Sequence, residues 1–224
     1  MQMNKTPMPE QDPRVRAHNF EEVATGYTAE MAIQEAQRCL DCRHQPCVEG
    51  CPVNVKIPDF IRLLKEGDAR AAYDVIRQDN ALPAICGRVC PQETQCEARC
   101  VRGIRGEPVG IGRLERYAAD TAMAEEAAGE AKVNAENAKV RVAVVGSGPA
   151  GLSCAGELNR MGYDVTIFEA LHTPGGVLVY GIPEFRLPKQ LVRREIDGLE
   201  RAGVKIVTNA VIGKSITLNE LLEE

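Results

Sequence analysis

The fold of the second half of the chain is decided by one stretch, Val142-Ala143-Val144-Val145-Gly146-Ser147-Gly148-Pro149-Ala150-Gly151. Four apolar residues run directly into a GxGxxG turn, and Leu152, Ala155 and Leu158 follow at helical spacing. We therefore expect a buried strand, a tight turn and a helix. In such a unit the first glycine permits the turn, the second lets the backbone approach a pyrophosphate, and the third lets the helix pack on the strand.

A second strand and an acidic residue follow at the spacing that a dinucleotide requires. Gly162 ends the helix, Asp164-Val165-Thr166-Ile167-Phe168 has strand composition, and Glu169 comes directly after it. A carboxylate at this position accepts hydrogen bonds from ribose hydroxyls and disfavours a 2′-phosphate, while the helix N-terminus holds the pyrophosphate. The pattern predicts a Rossmann-like unit that binds FAD or NAD, and not NADP.

The glycines alone do not separate FAD from NAD. The next segment, Gly175-Gly176-Val177-Leu178-Val179-Tyr180-Gly181-Ile182-Pro183-Glu184-Phe185-Arg186-Leu187-Pro188, is a loop interrupted by glycine and proline. It follows Glu169 too closely for a catalytic NAD domain and is well placed to line a flavin, so it favours FAD. The alternative is an irregular connection with no binding role.

Eight of the nine cysteines fall in two groups in the first half of the chain. The groups read Cys39-x2-Cys42-x4-Cys47-x3-Cys51-Pro52 and Cys86-x3-Cys90-Pro91-x4-Cys96-x3-Cys100. Ferredoxins that carry two clusters space their cysteines similarly and exchange the ligand that precedes proline. Soft, anionic thiolates suit iron, and eight of them match the needs of two [4Fe–4S] clusters.

Two other interpretations of the cysteines, structural zinc and a disulfide scaffold, are less favoured. Structural zinc generally takes two tight CxxC or HxxxH pairs, whereas this chain has a single CxxC, so zinc is the less favoured metal. A disulfide scaffold is disfavoured by a reducing compartment. We expect His44 to be a loop residue rather than a zinc ligand, and Cys154 to be a small packing residue inside a helix.

Composition excludes several classes of protein. No apolar run in the 224 residues approaches the ~18 that a membrane helix needs. The N-terminus carries Pro7, Pro9 and Asp12 where a secretory signal has its apolar core, so we expect a cytoplasmic protein. A net charge of −5 offers no basic surface for nucleic acid.

We expect an α+β protein with two domains. Residues 1–135 form an all-α iron–sulfur domain, with helices that start at Thr28, Pro58 and Asp68. Residues 136–224 form an incomplete Rossmann-like FAD-binding domain of about three strands. The Ala/Glu-rich segment 122–139 has no sustained apolar stripe and is expected to be a solvated helix or linker between them.

The motifs CGRVCPQETQCEARC, GSGPAG and YGIPEFRLPK together resemble one family of iron–sulfur flavoproteins. From Cys39 to Ile212 the chain is similar to the N-terminal half of the small (β) subunit of NADPH-dependent glutamate synthase. It is also similar to the large subunit of NADH-dependent ferredoxin:NADP oxidoreductase and to the N-terminal region of dihydropyrimidine dehydrogenase. The resemblance implies electron transfer from NAD(P)H through FAD to two [4Fe–4S] clusters and on to a partner, either a glutamate synthase large subunit or a ferredoxin-linked flavoprotein subunit.

The resemblance also implies a ligand set that differs from the count of eight thiolates. One cluster is held by four cysteines, Cys39, Cys42, Cys47 and Cys100. The other is held by Cys51, Cys90, Cys96 and the oxygen of Glu115, which leaves Cys86 as a non-ligand. The FAD site comprises Val89, Gly146, Ser147, Gly148, Pro149, Ala150, Gly151, Glu169, Gly176, Val177, Arg186 and Ile212.

The chain departs from the family in its length. Family members continue with an NADPH-binding domain and a last flavin-domain segment, whereas this sequence stops soon after a helix that begins at Leu218 and has no second GxGxxG. We therefore expect that the chain alone is inactive as a reductase, and that its clusters assemble while FAD binds weakly or not at all. The alternative hypothesis is a non-catalytic electron relay or docking module with a vestigial flavin fold.

Overall fold

The structure is a computed structural model that describes residues 2–125 and 140–223. It divides into two compact units, one of Met1–Ala128 with Glu184–Arg186, the other of Gly129–Pro183 with Leu187–Glu224. The predicted boundary near residue 135 lies outside the described residues. No helix in the described part of the chain is long and apolar enough to cross a lipid bilayer.

The first unit is helical in its described residues, apart from an isolated β-bridge between Glu10 and Ala24. Its α-helices are α1 (Pro13–Arg16), α2 (Ala29–Ala36), α3 (Pro46–Glu49), α4 (Ile57–Lys65), α5 (Ala69–Arg77), α6 (Pro83–Val89) and α7 (Ile111–Glu125). Three 3₁₀ turns, Gln92–Thr94, Glu97–Arg99 and Val101–Ile104, connect α6 to α7. The predicted starts are confirmed: the Met31 N–H donates to Thr28 Oγ1 at 3.3 Å, Pro58 lies in the first turn of α4, and the Ala71 N–H donates to Asp68 Oδ1 at 2.8 Å.

The hairpin of α4 and α5 packs against α7 and forms the core of this unit. Phe60 and Leu64 of α4, Ile76 of α5 and Leu114 of α7 are at most 1 % exposed. Burial of each such side chain contributes about 1.5–3 kcal/mol to folding. The expectation for segment 122–139 is wrong at its start, because Ala122 belongs to α7 and is buried; residues 126–139 lie outside the described part.

Helix α6 approaches the backbone of α7 very closely at Gly87. A Cβ atom on Gly87 would lie 2.6 Å from the backbone nitrogen of Arg116. Salt bridges hold the same contact, because the Arg88 guanidinium pairs with Glu22 at 2.8 Å and with Asp120 at 2.7 Å. The close approach brings Cys86, one residue before Gly87, beside Glu115.

A buried ion pair joins α2 to the segment before α7. Glu35 and Arg38 are at most 1 % exposed, and their side chains form a salt bridge. Glu35 Oε1 also accepts from the Gly110 N–H at 2.8 Å, and Arg38 Nη2 donates to the Glu107 carbonyl at 2.6 Å. Because Cys39 follows Arg38 directly, this pair fixes the backbone on which the first cysteine group begins.

The second unit contains a parallel sheet of three strands. Its elements are β1 (Arg141–Val145), α8 (Pro149–Arg160), β2 (Asp164–Phe168), α9 (Val177–Tyr180), α10 (Lys189–Arg201), β3 (Lys205–Val207) and α11 (Leu218–Glu223). The strand order is β1-β2-β3, with Val142 opposite Val165 and Thr166 opposite Lys205. The strand, turn and helix predicted from Val142–Gly151 are present, and the α+β fold class is confirmed.

Two expectations for this unit are wrong. The strand β1 is not buried, since Val145 is 62 % exposed, whereas Val165 and Ile167 of the central strand are fully buried. In the described sheet β1 pairs with β2 alone and therefore lies at an edge. Cys154 is exposed and is not a packing residue, because the buried side of α8 carries Leu152 and Ala155.

The contact at Gly87 leads to a prediction about stability. We expect Gly87→Ala to destabilise the helical unit by about 1–3 kcal/mol, because the added methyl group forces α6 away from the α7 backbone. The measurement is urea-induced unfolding followed by circular dichroism. Gly198→Ala in α10 is the control: its Cβ has one neighbour, at 3.8 Å, so alanine should leave stability unchanged or increase it. Equal unfolding midpoints for Gly87→Ala and the wild type would contradict the close packing.

Candidate functional site: two cysteine clusters and a glycine turn

Four cysteines from distant parts of the chain line one cavity of the helical unit. The cavity has a volume of about 310 Å³, including its solvent-open part, and its cysteines are Cys39, Cys42, Cys47 and Cys100. Cys39 follows α2, Cys47 lies in α3 and Cys100 lies between two 3₁₀ turns. These are the four residues that the family resemblance assigned to one site.

The electrostatics of this cavity disfavour thiolates until a cation is bound. Burial, together with the charges of the neighbouring sulfurs of Cys39 and Cys100, raises the pKa of Cys47 to about 12. Burial likewise raises the pKa of Cys39, although Lys65 opposes the shift. A bound metal reverses this balance, because its positive charge stabilises the thiolates. The residues therefore fit a cationic iron–sulfur core.

A second set of side chains brings together Cys51, Cys86, Cys90 and Cys96 with the carboxylate of Glu115. Gly50 makes this possible on one side, because a Cβ there would lie 2.8 Å from the Gln95 carbonyl oxygen, so the turn before Cys51 packs against the segment before Cys96. Burial raises the pKa of Cys96, with further contributions from Glu97, Glu115 and Cys51. On the other side, the Gly87 contact holds Cys86 near Glu115.

Hydrogen bonds distinguish Cys86 from the other members of this group. A hydrogen bond with Cys90, burial and the charge of Glu115 all raise the pKa of Cys86. The same hydrogen bond lowers the pKa of Cys90 to about 7. Cys86 Sγ also lies 3.5 Å from Oδ1 of Asn80, whose Nδ2 donates to Glu115 Oε1 at 2.7 Å. Asn80 therefore bridges the Cys86 sulfur and the Glu115 carboxylate.

The arrangement differs from that of a mononuclear metal site. Among the described residues, no group of three or more His, Cys, Asp or Glu side chains converges on a single metal ion. A four-iron cluster takes each ligand on a different iron and uses a wider arrangement. His44 is an exposed turn residue, as expected.

The glycine turn of the second unit has the geometry that its motif requires. Gly146 adopts φ +93° and donates its N–H to the Phe168 carbonyl at 2.8 Å, which ties the turn to β2. A Cβ on Gly151 would lie 1.9 Å from the Gly146 oxygen, so α8 packs directly on the turn. A Cβ on Gly148 would meet nothing within 4 Å. The open space at Gly148 is where the backbone can approach an anion.

Glu169 anchors this turn from the end of β2. Its Oε2 accepts from the Ser147 N–H at 2.8 Å and from the Ser147 hydroxyl, and its Oε1 accepts from the Leu171 N–H at 2.9 Å. Burial alone raises the pKa of this carboxyl, but the hydrogen bonds from Ser147 and the backbone outweigh it and lower the pKa below its usual value of 4.5. The lowered pKa favours the ionised carboxylate beside the turn, which is the form that can accept hydrogen bonds from ribose hydroxyls.

A later loop folds back onto the same turn. The Gly175 N–H donates to Ser147 Oγ at 3.0 Å, and a Cβ on Gly176 would lie 2.9 Å from Gly148 Cα. The structure thus brings Gly176, and with it the exposed Val177, to the glycine turn. The loop is not wholly irregular, because Val177–Tyr180 forms one helical turn.

The remaining predicted FAD residues lie apart from this turn or in the other unit. Ile212 is half-buried and forms an isolated parallel bridge with Ile216. Val89 ends α6, and Arg186 is exposed in the short segment that belongs to the helical unit. Their roles at a flavin stay predictions. Sequence reasoning missed Asn80, because an asparagine before a helix reads only as a turn residue.

Comparison with known families places these sites in context. The sequence profile described as dihydropyrimidine dehydrogenase domain II, 4Fe-4S cluster, matches residues 16–127. The chain belongs to this family. A second profile, described as an NAD(P)-binding Rossmann-like domain, matches residues 144–181. Family membership thus confirms a 4Fe-4S helical unit followed by a nucleotide-binding one, and the resemblance drawn from the motifs is confirmed.

Several curated proteins are similar over most of the chain. NAD-dependent dihydropyrimidine dehydrogenase subunit PreT of Escherichia coli O157:H7 is 40% identical over 205 residues, which cover 92% of this chain and 49% of that protein. The glutamate synthase [NADPH] small chain of Azospirillum brasilense is 38% identical over 217 residues, 96% of this chain and 45% of the relative. Glutamate synthase [NADH] of Saccharomyces cerevisiae is 41% identical over 214 residues, 94% of this chain and 10% of the relative. The chain spans about half the length of the bacterial relatives that it matches.

The open space at Gly148 yields a test of the nucleotide site. We expect Gly148→Ala to weaken dinucleotide binding about 10-fold or more, because the methyl group occupies the space through which the pyrophosphate approaches the backbone. Stability should change little, since φ is −65° and the methyl group meets no protein atom within 4 Å. The measurement is isothermal titration with FAD and with ADP, using Gly198→Ala as the control. Unchanged affinity in Gly148→Ala would place the ligand elsewhere.

Proposed function

We propose that the chain is part of an iron–sulfur flavoprotein oxidoreductase similar to the glutamate synthase small subunit. In this function a bound FAD would supply hydride acceptance from NAD(P)H and single-electron transfer to two bound [4Fe–4S] clusters, from which a partner subunit would take the electrons. The observation that carries the proposal is the cavity shared by Cys39, Cys42, Cys47 and Cys100 in a chain that also contains a nucleotide-binding turn.

The first cluster is held by these four cysteines. Three come from the first cysteine group, whereas Cys100 comes from the end of the second, so the cluster links the two groups. The Val109 N–H lies 3.5 Å from Cys100 Sγ and donates toward it. Hydrogen bonds to ligand sulfurs stabilise the reduced cluster and raise its reduction potential. Val109 therefore tunes the first cluster through its backbone.

The second cluster is held by Cys51, Cys90, Cys96 and the carboxylate of Glu115. The proximity of Cys51, Cys96 and Glu115 supports this assignment, as does the lowered pKa of Cys90. An oxygen ligand in place of a thiolate changes the charge and the reduction potential of a cluster, which would let the two clusters differ in potential.

The FAD site is built on the glycine turn. The N-terminus of α8 with Gly146–Gly151 holds the pyrophosphate, and Glu169 accepts the ribose hydroxyls. Gly176 and Val177 would line the flavin side of this turn, and the family resemblance adds Val89, Arg186 and Ile212 as further FAD residues. The Ser147 hydroxyl holds both Glu169 and the loop at Gly175, so a single side chain aligns the two halves of the site.

The partner is a second redox subunit, and the compartment is the cytoplasm. Relatives are named as a glutamate synthase small chain and as a dihydropyrimidine dehydrogenase subunit, each of which implies a further polypeptide. A large subunit of glutamate synthase type or a ferredoxin-linked flavoprotein subunit would accept the electrons. The net charge of −5 favours a protein partner over a nucleic acid.

Single cysteine variants test the two-cluster proposal. The anaerobic wild-type chain should contain about eight irons and eight sulfides. Cys47→Ser should lose the first cluster and Cys96→Ser the second, so each should retain about four irons. Cys154→Ser is the control, because this exposed cysteine lies in the other unit and should leave the iron content unchanged. Stoichiometric zinc, or four irons in the wild type, would contradict the proposal.

A further inference from the structure

A buried asparagine lies between the two residues that compete for the last position on the second cluster. Asn80 follows α5 and is 7 % exposed. Its Nδ2 donates to Glu115 Oε1 at 2.7 Å, and its Oδ1 lies 3.5 Å from Cys86 Sγ. Asn80 thus contacts both the carboxylate and the thiol.

The orientation of this amide is fixed by a third contact. The Leu82 N–H donates to Asn80 Oδ1 at 2.9 Å. A backbone N–H can only donate and a carboxylate can only accept, so the oxygen must face Leu82 and the NH₂ group must face Glu115. A flipped amide would break both hydrogen bonds and would place two oxygens, those of Asn80 and Glu115, in contact.

The fixed amide assigns different roles to Cys86 and Glu115. Oδ1 can only accept, so its contact with Cys86 Sγ at 3.5 Å favours a protonated sulfur and disfavours the thiolate that a metal ligand must be. The amide NH₂ group, by contrast, stabilises an ionised carboxylate and steadies it in one orientation. Gln92 holds Cys86 in the same place, since Gln92 Nε2 donates to the Cys86 carbonyl at 3.0 Å.

We propose that Asn80 is a positioning residue that selects Glu115, and not Cys86, as the fourth ligand of the second cluster. This inference rests on the proposed function, in which Cys51, Cys90 and Cys96 supply the other three ligands. Cys86 then stays a thiol outside the cluster, with its Sγ 3.5 Å from Asn80 Oδ1. Outer hydrogen-bond partners of metal ligands typically change metal affinity 10–100-fold when they are replaced.

The test measures how readily the second cluster loses the iron that Glu115 holds. Ferricyanide removes one electron from a four-iron cluster, one Fe²⁺ leaves, and the three-iron product is followed by electron paramagnetic resonance. We expect Asn80→Asp to lose this iron about 10-fold faster than the wild type, because the new oxygen repels Glu115. The carboxylate introduced by Asn80→Asp still accepts from the Leu82 N–H, so the local fold is retained. The first cluster should react at the wild-type rate.

Exchanging the amide and the carboxylate between positions 80 and 115 distinguishes a positioning role of Asn80 from a general loss of stability. In the double variant Asn80→Asp with Glu115→Gln, the amide NH₂ now belongs to position 115 and donates to the carboxylate at position 80, which restores the hydrogen bond and leaves an amide oxygen for iron. We expect the rate of iron loss to return to within about threefold of the wild type. Loss that is as fast in the double variant as in Asn80→Asp would contradict the proposal.

Two further variants decide the outcome even if Asn80→Asp does not fold. Cys86→Ser keeps a hydrogen-bond donor and should retain about eight irons with wild-type kinetics, whereas Glu115→Ala should yield the three-iron form directly. The opposite result, with iron lost in Cys86→Ser and kept in Glu115→Ala, would overturn the inference while leaving two clusters intact. A wild-type chain with four irons would overturn both the inference and the proposed function.

Discussion

The buried ion pair between Glu35 and Arg38 is the interaction on which the helical unit depends. Glu35 accepts from the backbone N–H groups of Thr6 at 2.6 Å and Gly110 at 2.8 Å. Arg38 donates to the carbonyls of Met3 at 2.9 Å and Pro108 at 3.1 Å. Removing one partner of such a pair leaves an uncompensated buried charge and costs about 3–5 kcal/mol. The two side chains therefore tie several segments of the chain together.

The position of this pair explains why the cysteine groups can meet. Cys39 follows Arg38 directly, and the segment that Arg38 holds, Glu107–Gly110, includes Val109, which contacts Cys100. The pair thus sets the distance between the first and last cysteines of the domain. Two glycines complete the arrangement: Gly50 brings Cys51 to Cys96, and Gly87 brings α6 to α7. Helices alone would not place these side chains, because close backbone contacts are needed at both points.

The second unit uses a similar principle on a smaller scale. Ser147 is fully buried and bonds to Glu169 and to Gly175, so the glycine turn, the end of β2 and the later loop form one assembly. The Lys189 ammonium holds the far end of the same loop, since it donates to the carbonyls of Leu178 at 3.0 Å and Leu187 at 2.9 Å. A nucleotide would thus meet a turn whose shape is fixed before binding.

Local sequence signals predicted several helices and strands correctly. The capping residue Thr28 gave the correct start of α2, and the strand-like segment Asp164–Phe168 gave the correct bounds of β2. Both signals are local, because a cap and a strand are defined within a few residues. The cysteine spacing predicted two groups, and the family resemblance assigned Cys39, Cys42, Cys47 and Cys100 to one site; these four residues line one cavity.

The sequence-based expectations that were wrong, and the contacts of Asn80 that were not predicted, have a common physical cause. Burial of Ala122, exposure of Val145 and exposure of Cys154 depend on which element packs where, and periodicity over a short window does not contain that information. The hydrogen bonds of Asn80 depend on the meeting of α6 and α7, which are far apart in sequence. Tertiary contacts of this kind carry no local signature.

Native mass spectrometry of the anaerobically purified chain tests the central claim most directly, because it counts inorganic atoms on each folded molecule. The account predicts a dominant species whose mass exceeds that of the 24.4 kDa polypeptide by two [4Fe–4S] clusters. The same spectrum reports whether FAD adds to that species. A dominant species that carries one cluster, or zinc and no iron, would contradict the account.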